Sequence, residues 1–223
     1  DSHARNYLIA ARKALTSFDI KYMTMGSGCA FFPSEMISDK LDKDVSCNQY
    51  VKSVASLILK ESRRGDIVFI GQALYDRHHD KNATQIYFDH IKVLAEELRE
   101  KKIPVVIFDG TFPPMQKKDM MLCMKQFIPF PDKIYCEKNI NKARSSYNRF
   151  DKLAVSLSNS SENIYYAPLR LGLCVNETCG QLTKKGTPIW HDRGHISEKS
   201  SGELADMLRQ YLIKTNIKIP NKK

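Results

Sequence analysis

The chain has 223 residues, near one and a half times a typical domain of roughly 150, so one large α/β domain over residues 1–223 is expected rather than two. With 42% hydrophobic and 27% charged residues it can bury a sizeable core, which excludes intrinsic disorder, collagen-like repeats and coiled coil. The formal net charge of +10 suits anionic partners, but it is spread over pairs such as Lys101-Lys102, Lys117-Lys118 and Lys184-Lys185, with no basic helix or RNP-like aromatic motif, so nucleic acid is not expected as a partner.

Short β-branched runs alternate with longer amphipathic ones, the pattern of a parallel sheet with helices on its faces. The first helix is expected from Ala4 to Ser17, with Tyr7, Leu8, Ala11, Ala14 and Leu15 as its stripe. Ile20–Met25 reads as a strand running into Gly26-Ser27-Gly28, and Cys29–Asn48 as a loop without a clean period. A second helix carries Val51, Val54, Ala55, Ile58 and Leu59, with Gly65 as its C-terminal cap. Asp66–Ile70 is a buried strand ending at Gly71. A polar loop then leads to a third helix with Ile86, Ile91, Leu94, Ala95 and Leu98 on one face.

Ile103–Phe108 is the next strand, closing in Asp109-Gly110. Pro113, Pro114, Pro129 and Pro131 make the stretch to about Lys142 mostly irregular. A helix at 145–157 and a strand at 164–167 follow. Residues 174–190 read as a hairpin or loop with a turn at Gly186-Thr187-Pro188. The last helix shows a capping box in Ser200-x-x-Glu203 and an apolar face of Leu204, Met207, Leu208 and Tyr211. No apolar run approaches the roughly 20 residues that cross a bilayer. The chain opens directly on Asp1-Ser2-His3-Ala4 without a charged-then-apolar leader, so it reads as soluble as it stands. The expected architecture is three-layer α/β/α around a mostly parallel, flavodoxin-like sheet.

Six cysteines are present. Cys174 and Cys179 bound a short loop, Cys123 and Cys136 bracket a Pro-rich stretch, and Cys29 and Cys47 bracket an irregular one. Disulfides in such segments remove unfolded-state freedom and imply an oxidising compartment. Zinc is a poorer reading, because the Cys-x₄-Cys spacing has no second close pair and no matching histidines; six buried thiols in a cytosolic protein is the plain alternative.

In open parallel sheets ligands bind beyond the carboxyl ends of the strands, where Gly26, Gly28, Gly71 and Gly110 permit close backbone approach. Ser2 opens the first helix, a position where a serine is ordinarily a simple N-cap. Near the other end, Trp190-His191-Asp192-Arg193-Gly194-His195-Ile196-Ser197 sets an acid and an imidazole three residues apart just before a helix. A turn of that length lets Asp192 reach Nδ1–H of His195, leaving Nε2 as a base. A surface turn with a capping histidine has the same spacing.

Together, Asp1-Ser2-His3-Ala4 and Asp192-Arg193-Gly194-His195-Ile196-Ser197 resemble the first and last sequence blocks of the SGNH hydrolase superfamily. The closer resemblance is to the SGNH-type domain attached to membrane acyltransferase-3 proteins, which O-acetylate bacterial cell-surface glycans. There the blocks read Gly-Asp-Ser-His-Ala and Asp-x-x-His-Leu-Ser, with a Cys-x₄-Cys-like loop before the last, matched by Cys174 and Cys179. Two features depart from the family. The leading Gly and the strand that feeds the serine turn precede Asp1, so residues upstream in a longer protein are expected to supply them. The usual Asn of the third block is also missing, since the strand end reads Ile70-Gly71-Gln72-Ala73-Leu74-Tyr75.

The resemblance implies Ser2 as nucleophile, His195 as general base and later acid, and Asp192 as its orienting carboxylate. It also implies an oxyanion hole built from the Ser2 N–H and a glycine at 26 or 28, with Gly71 and Gln72 at the third-block position. Implied partners are an acyl donor, a glycan acceptor such as lipopolysaccharide O-antigen, and a membrane acyltransferase domain in the same full-length chain. Implied placement is periplasmic or otherwise extracytoplasmic, tethered to the inner membrane through that domain. A stand-alone acetylesterase would use the same triad, and a non-catalytic glycan-binding module would keep the residues without the reaction. No cofactor is expected. Asp76, His78, His79, Asp80 and His90 invite a metal reading, but adjacent residues point apart and a charged loop is ordinarily just solvated, so no metal is expected.

Overall fold

The computed structural model describes residues 4–22, 44–71, 81–109, 138–174, 178–179, 182–189, 191 and 195–218. In chain order the elements are α1 (Ala4–Ala14), α2 (Asp44–Glu61), β1 (Val68–Ile70), α3 (Lys81–Arg99), β2 (Val105–Phe108), β3 (Lys138–Asn139), α4 (Ile140–Ser160), β4 (Ile164–Ala167), a 3₁₀ turn (Arg170–Leu173), β5 (Thr178–Cys179) and α5 (Glu198–Lys214).

β1, β2 and β4 form a parallel sheet in that order, with Val68 opposite Val105 and Val105 opposite Ile164. Because strand side chains alternate between faces, β2 divides its residues between two cores. Val106 and Phe108 point to the side covered by α1 and α5, together with Tyr7, Ala10, Ala14, Leu204 and Leu208. Val105 and Ile107 point to the other side, covered by α3 and α4, with Tyr87, Ile91, Leu98, Phe150 and Ala154. All four residues of β2 are buried, as a strand enclosed on both faces requires. The expected three-layer α/β/α arrangement is therefore present. β3 and β5 form a separate antiparallel pair.

Several boundaries differ from the sequence reading. α2 begins at Asp44, so Cys47 lies in a helix and not in the irregular stretch. α4 begins at Ile140, within the segment expected to be irregular. Ile20–Tyr22 carry no strand pairing, and the rest of the expected strand at 23–25 lies outside the described residues. Gly65, at φ +102°, does not cap α2 directly. It sits in a turn closed by Asp66 N donating to Arg63 O at 3.0 Å, and Lys101 Nζ donates to the carbonyl of Leu59 at the helix end. A cation at helix carbonyls also suits the helix dipole.

The expected capping box of Ser200 and Glu203 is displaced by one turn. Ser197 is the N-cap of α5, its Oγ accepting from Ser200 N at 3.1 Å. Ser200 lies inside the helix and donates to Pro188 O, while Glu203 accepts from Thr183 Oγ1 at 3.0 Å. Thr183 and Pro188 belong to the 182–188 turn, where Gly186 takes φ +75°. The serine-rich start of α5 is thus spent on holding that turn.

Candidate functional site

The first and last helices, which adjoin the two sequence blocks, start from the same side of the sheet. Tyr7, in the first turns of α1, stacks on Phe108, the last residue of β2, with ring centroids 4.6 Å apart. The following Ala10, Ala11 and Ala14 stay in the core with Val106, so α1 runs back along the sheet from its carboxyl edge. In α5, Met207 packs against Gly172, past the end of β4, and Tyr211 comes within electrostatic reach of Tyr165, inside it. α5 therefore also runs back from that edge, and Arg209 Nη2 donates to Ala14 O at 3.2 Å where the two helices lie side by side.

The segment entering α5 is clasped on itself. Ser197 N donates to Ile189 O at 2.7 Å and His191 N donates to His195 O at 2.9 Å, which holds His191 and His195 against each other. Ile189 and Ile196 are buried in the same core as Tyr7, so the clasp is seated on the α1 side of the sheet. Within it His195 is half-buried.

Of the residues singled out from the sequence, His195 is described. Ser2 and Asp192 lie outside the described residues, as do Gly26, Gly28 and Gln72 of the expected oxyanion hole. Gly71 follows β1 directly and is half-buried. Cys174 is buried and disulfide-bonded. Cys179 is in β5, and Cys29, Cys123 and Cys136 lie outside the described residues. Asp76, His78, His79 and Asp80 lie outside as well; His90 is half-buried on α3, and among the described residues no group of three His, Cys, Asp or Glu side chains could hold a metal ion.

Beneath the carboxyl edge the structure holds a polar network absent from the sequence reading. Asp109, the residue after β2, is fully buried. Its Oδ1 accepts from Leu169 N at 3.0 Å, and its Oδ2 from Arg170 N at 2.8 Å. The Tyr7 hydroxyl lies 2.8 Å from Asp109 O and 3.1 Å from Oδ1. The Arg170 guanidinium is 3.8 Å from Asp109 and 2.5 Å from Asp151 of α4, whose other oxygen accepts from Tyr166 at 2.6 Å. Burial pushes the Asp109 carboxyl up to about 7, against the pull of the Arg170 guanidinium, the Arg170 backbone N–H and Tyr7. Burial also works against the charge of Arg170, but the two carboxylates outweigh it and hold the guanidinium protonated. The sequence signals available for this network were an Asp at a strand end and an Arg inside the apolar run Pro168–Leu173.

A family model described as SGNH domain (fused to AT3 domains) matches residues 1–210. The chain belongs to this family. No curated protein and no solved structure matches it. As an SGNH domain of the AT3-associated type it is an enzyme of the acyltransferase or esterase kind. No helix among the described residues of this SGNH domain is long and apolar enough to cross a membrane.

Proposed function

We propose that this SGNH domain transfers an acetyl group to hydroxyls of a cell-surface glycan, such as lipopolysaccharide O-antigen, through an acyl-Ser2 intermediate. The observation that carries the reading is the common starting edge of α1 and α5: Ser2 stands two residues before the first helix and His195 three before the last. In open α/β folds that edge is where ligands bind.

The steps follow from the residue types. Ser2 Oγ attacks the acyl carbonyl while His195 takes its proton, and His195 returns that proton to the departing group. A glycan hydroxyl then attacks the acyl-serine, again deprotonated by His195, and the proton ends on Ser2 Oγ as the ester leaves. Asp192 orients the imidazole and stabilises its charged form. The Ser2 N–H, a glycine N–H from 26 or 28, and Gly71 with Gln72 would face the oxyanion. One donor contributes about 10²–10³ in rate, so replacing the usual Asn by Gln72 would slow a still active site.

The domain would work as part of a longer chain, beside a membrane acyltransferase domain, as the family description supports. The disulfide at Cys174 favours an oxidising, extracytoplasmic compartment, and the charge of +10 suits an acidic glycan or lipopolysaccharide phosphates. A fluorophosphonate probe should label the wild type and not Ser2→Ala; equal labelling of both, or of neither, refutes the acyl-serine. Incubation with an acetyl donor and an oligosaccharide should give acetylated acceptor, and release of acetate alone would make the domain an esterase.

A further inference from the structure

Asp109 is surrounded by donors from two separate parts of the chain: Tyr7, 102 positions before it, and the backbone of Leu169 and Arg170, some sixty after it. The four groups at hydrogen-bonding or ion-pair distance of its carboxylate, from three residues, all present hydrogens or positive charge to it, so it links the start of α1 to the turn after β4 as one unit. Arg170 extends that unit to Asp151, and through it to Tyr166, on the α4 side of the sheet. The two helical layers are joined at the rim by this chain of contacts. A buried carboxylate so placed is more than core filling, because an apolar side chain would take an acceptor away from the Leu169 and Arg170 N–H groups and from the Tyr7 hydroxyl.

We propose that Asp109 is a positioning residue, holding the first turns of α1 against Leu169-Arg170 so that the serine ahead of that helix is presented at a fixed place on the carboxyl edge. The inference rests on the reading of Ser2 as nucleophile. It assigns no contact between Asp109 and substrate; Asp109 acts through Tyr7 and α1. A displacement of about 1 Å at a nucleophile can cost on the order of 100-fold in rate, which gives a clamp five residues from Ser2 its leverage.

Asp109→Asn puts a donor NH₂ where a donor N–H already points and endangers the fold, so Tyr7→Phe carries the test. It keeps the ring stacked on Phe108 and removes only the hydroxyl. Expected is a fall of at least about tenfold in Ser2 labelling rate and in kcat, with KM unchanged. The control is Leu157→Ala in the α3/α4 core, which loses stability without losing rate. Tyr7→Phe labelling at the wild-type rate, or losing rate only as much as Leu157→Ala, overturns the proposal. Amide hydrogen exchange over residues 8–14 separates the two readings: faster exchange in Tyr7→Phe upholds the clamp and unchanged exchange overturns it, while a wild type that fails to label refutes the nucleophile independently.

Discussion

The Tyr7 hydroxyl reaches the main-chain oxygen of Asp109 at 2.8 Å across 102 positions of sequence, inside a core where both residues are closed to solvent. The contact fixes the first helix to the end of the central strand. With Phe69 and Phe108 stacked at 5.3 Å and Phe108 stacked on Tyr7, it caps a three-ring column along the α1 face of the sheet. Such stacked pairs add about 0.5–1.5 kcal/mol each beyond their burial.

The Asp109 carboxyl gives stability a definite pH dependence. Its pKa in the fold is about 7, above its unfolded value near 4, so its favourable contribution is complete below about pH 4 and is lost as pH rises through about 7. Asp109→Asn cannot titrate. The urea midpoint of the wild type is expected to fall relative to that of Asp109→Asn between pH 5 and 8. A difference constant across this range would mean that the carboxyl is already ionised throughout, and the assignment would fail.

Arg170 is 3% exposed and stands between two carboxylates. Arg170→Met would leave Asp109 and Asp151 close together without a counter-charge, and breaking a buried pair in this way costs about 3–5 kcal/mol. The double variant Arg170→Met, Asp109→Asn should recover part of that loss, since the fully buried one of the two unpaired charges is then gone and only Asp151 remains. Additive losses in a denaturation series would show that the two groups are not coupled.

Ser197 caps α5 and also donates to Pro188 O, tying the helix to the turn before it. Ser197→Ala should cost about 1 kcal/mol in stability. Because that hydroxyl also holds Pro188, next to the Ile189 carbonyl that accepts from Ser197 N, acylation should slow in that variant as well. Thr215→Ala, which removes a hydroxyl bond to Tyr211 O at the far end of α5, serves as the comparison and should leave acylation unchanged.

The layer pattern was legible because the direction of a side chain is set locally. Ile103–Phe108 reads as a strand and Leu204, Leu208 as a helical stripe without knowledge of their partners; the strand is found at Val105–Phe108 and both leucines are buried. The error at Ser200 has a local cause too: serines at 197 and 200 both suit a cap, and the choice was made by Pro188, whose carbonyl takes both hydroxyls. The Asp192–His195 spacing and the first-block serine were visible as residue types in order.

What the linear chain determined by itself was therefore the alternation of elements and the family blocks at its ends, all properties of neighbours within a few residues. Only the tertiary structure decided that α1 and α5 start from one edge, and that Tyr7, Asp109, Asp151, Tyr166 and Arg170 join beneath it. No local rule couples residues so far apart. Their pairing follows from burial itself, which makes a lone charge or hydroxyl costly and leaves each stable only where the fold supplies its partner.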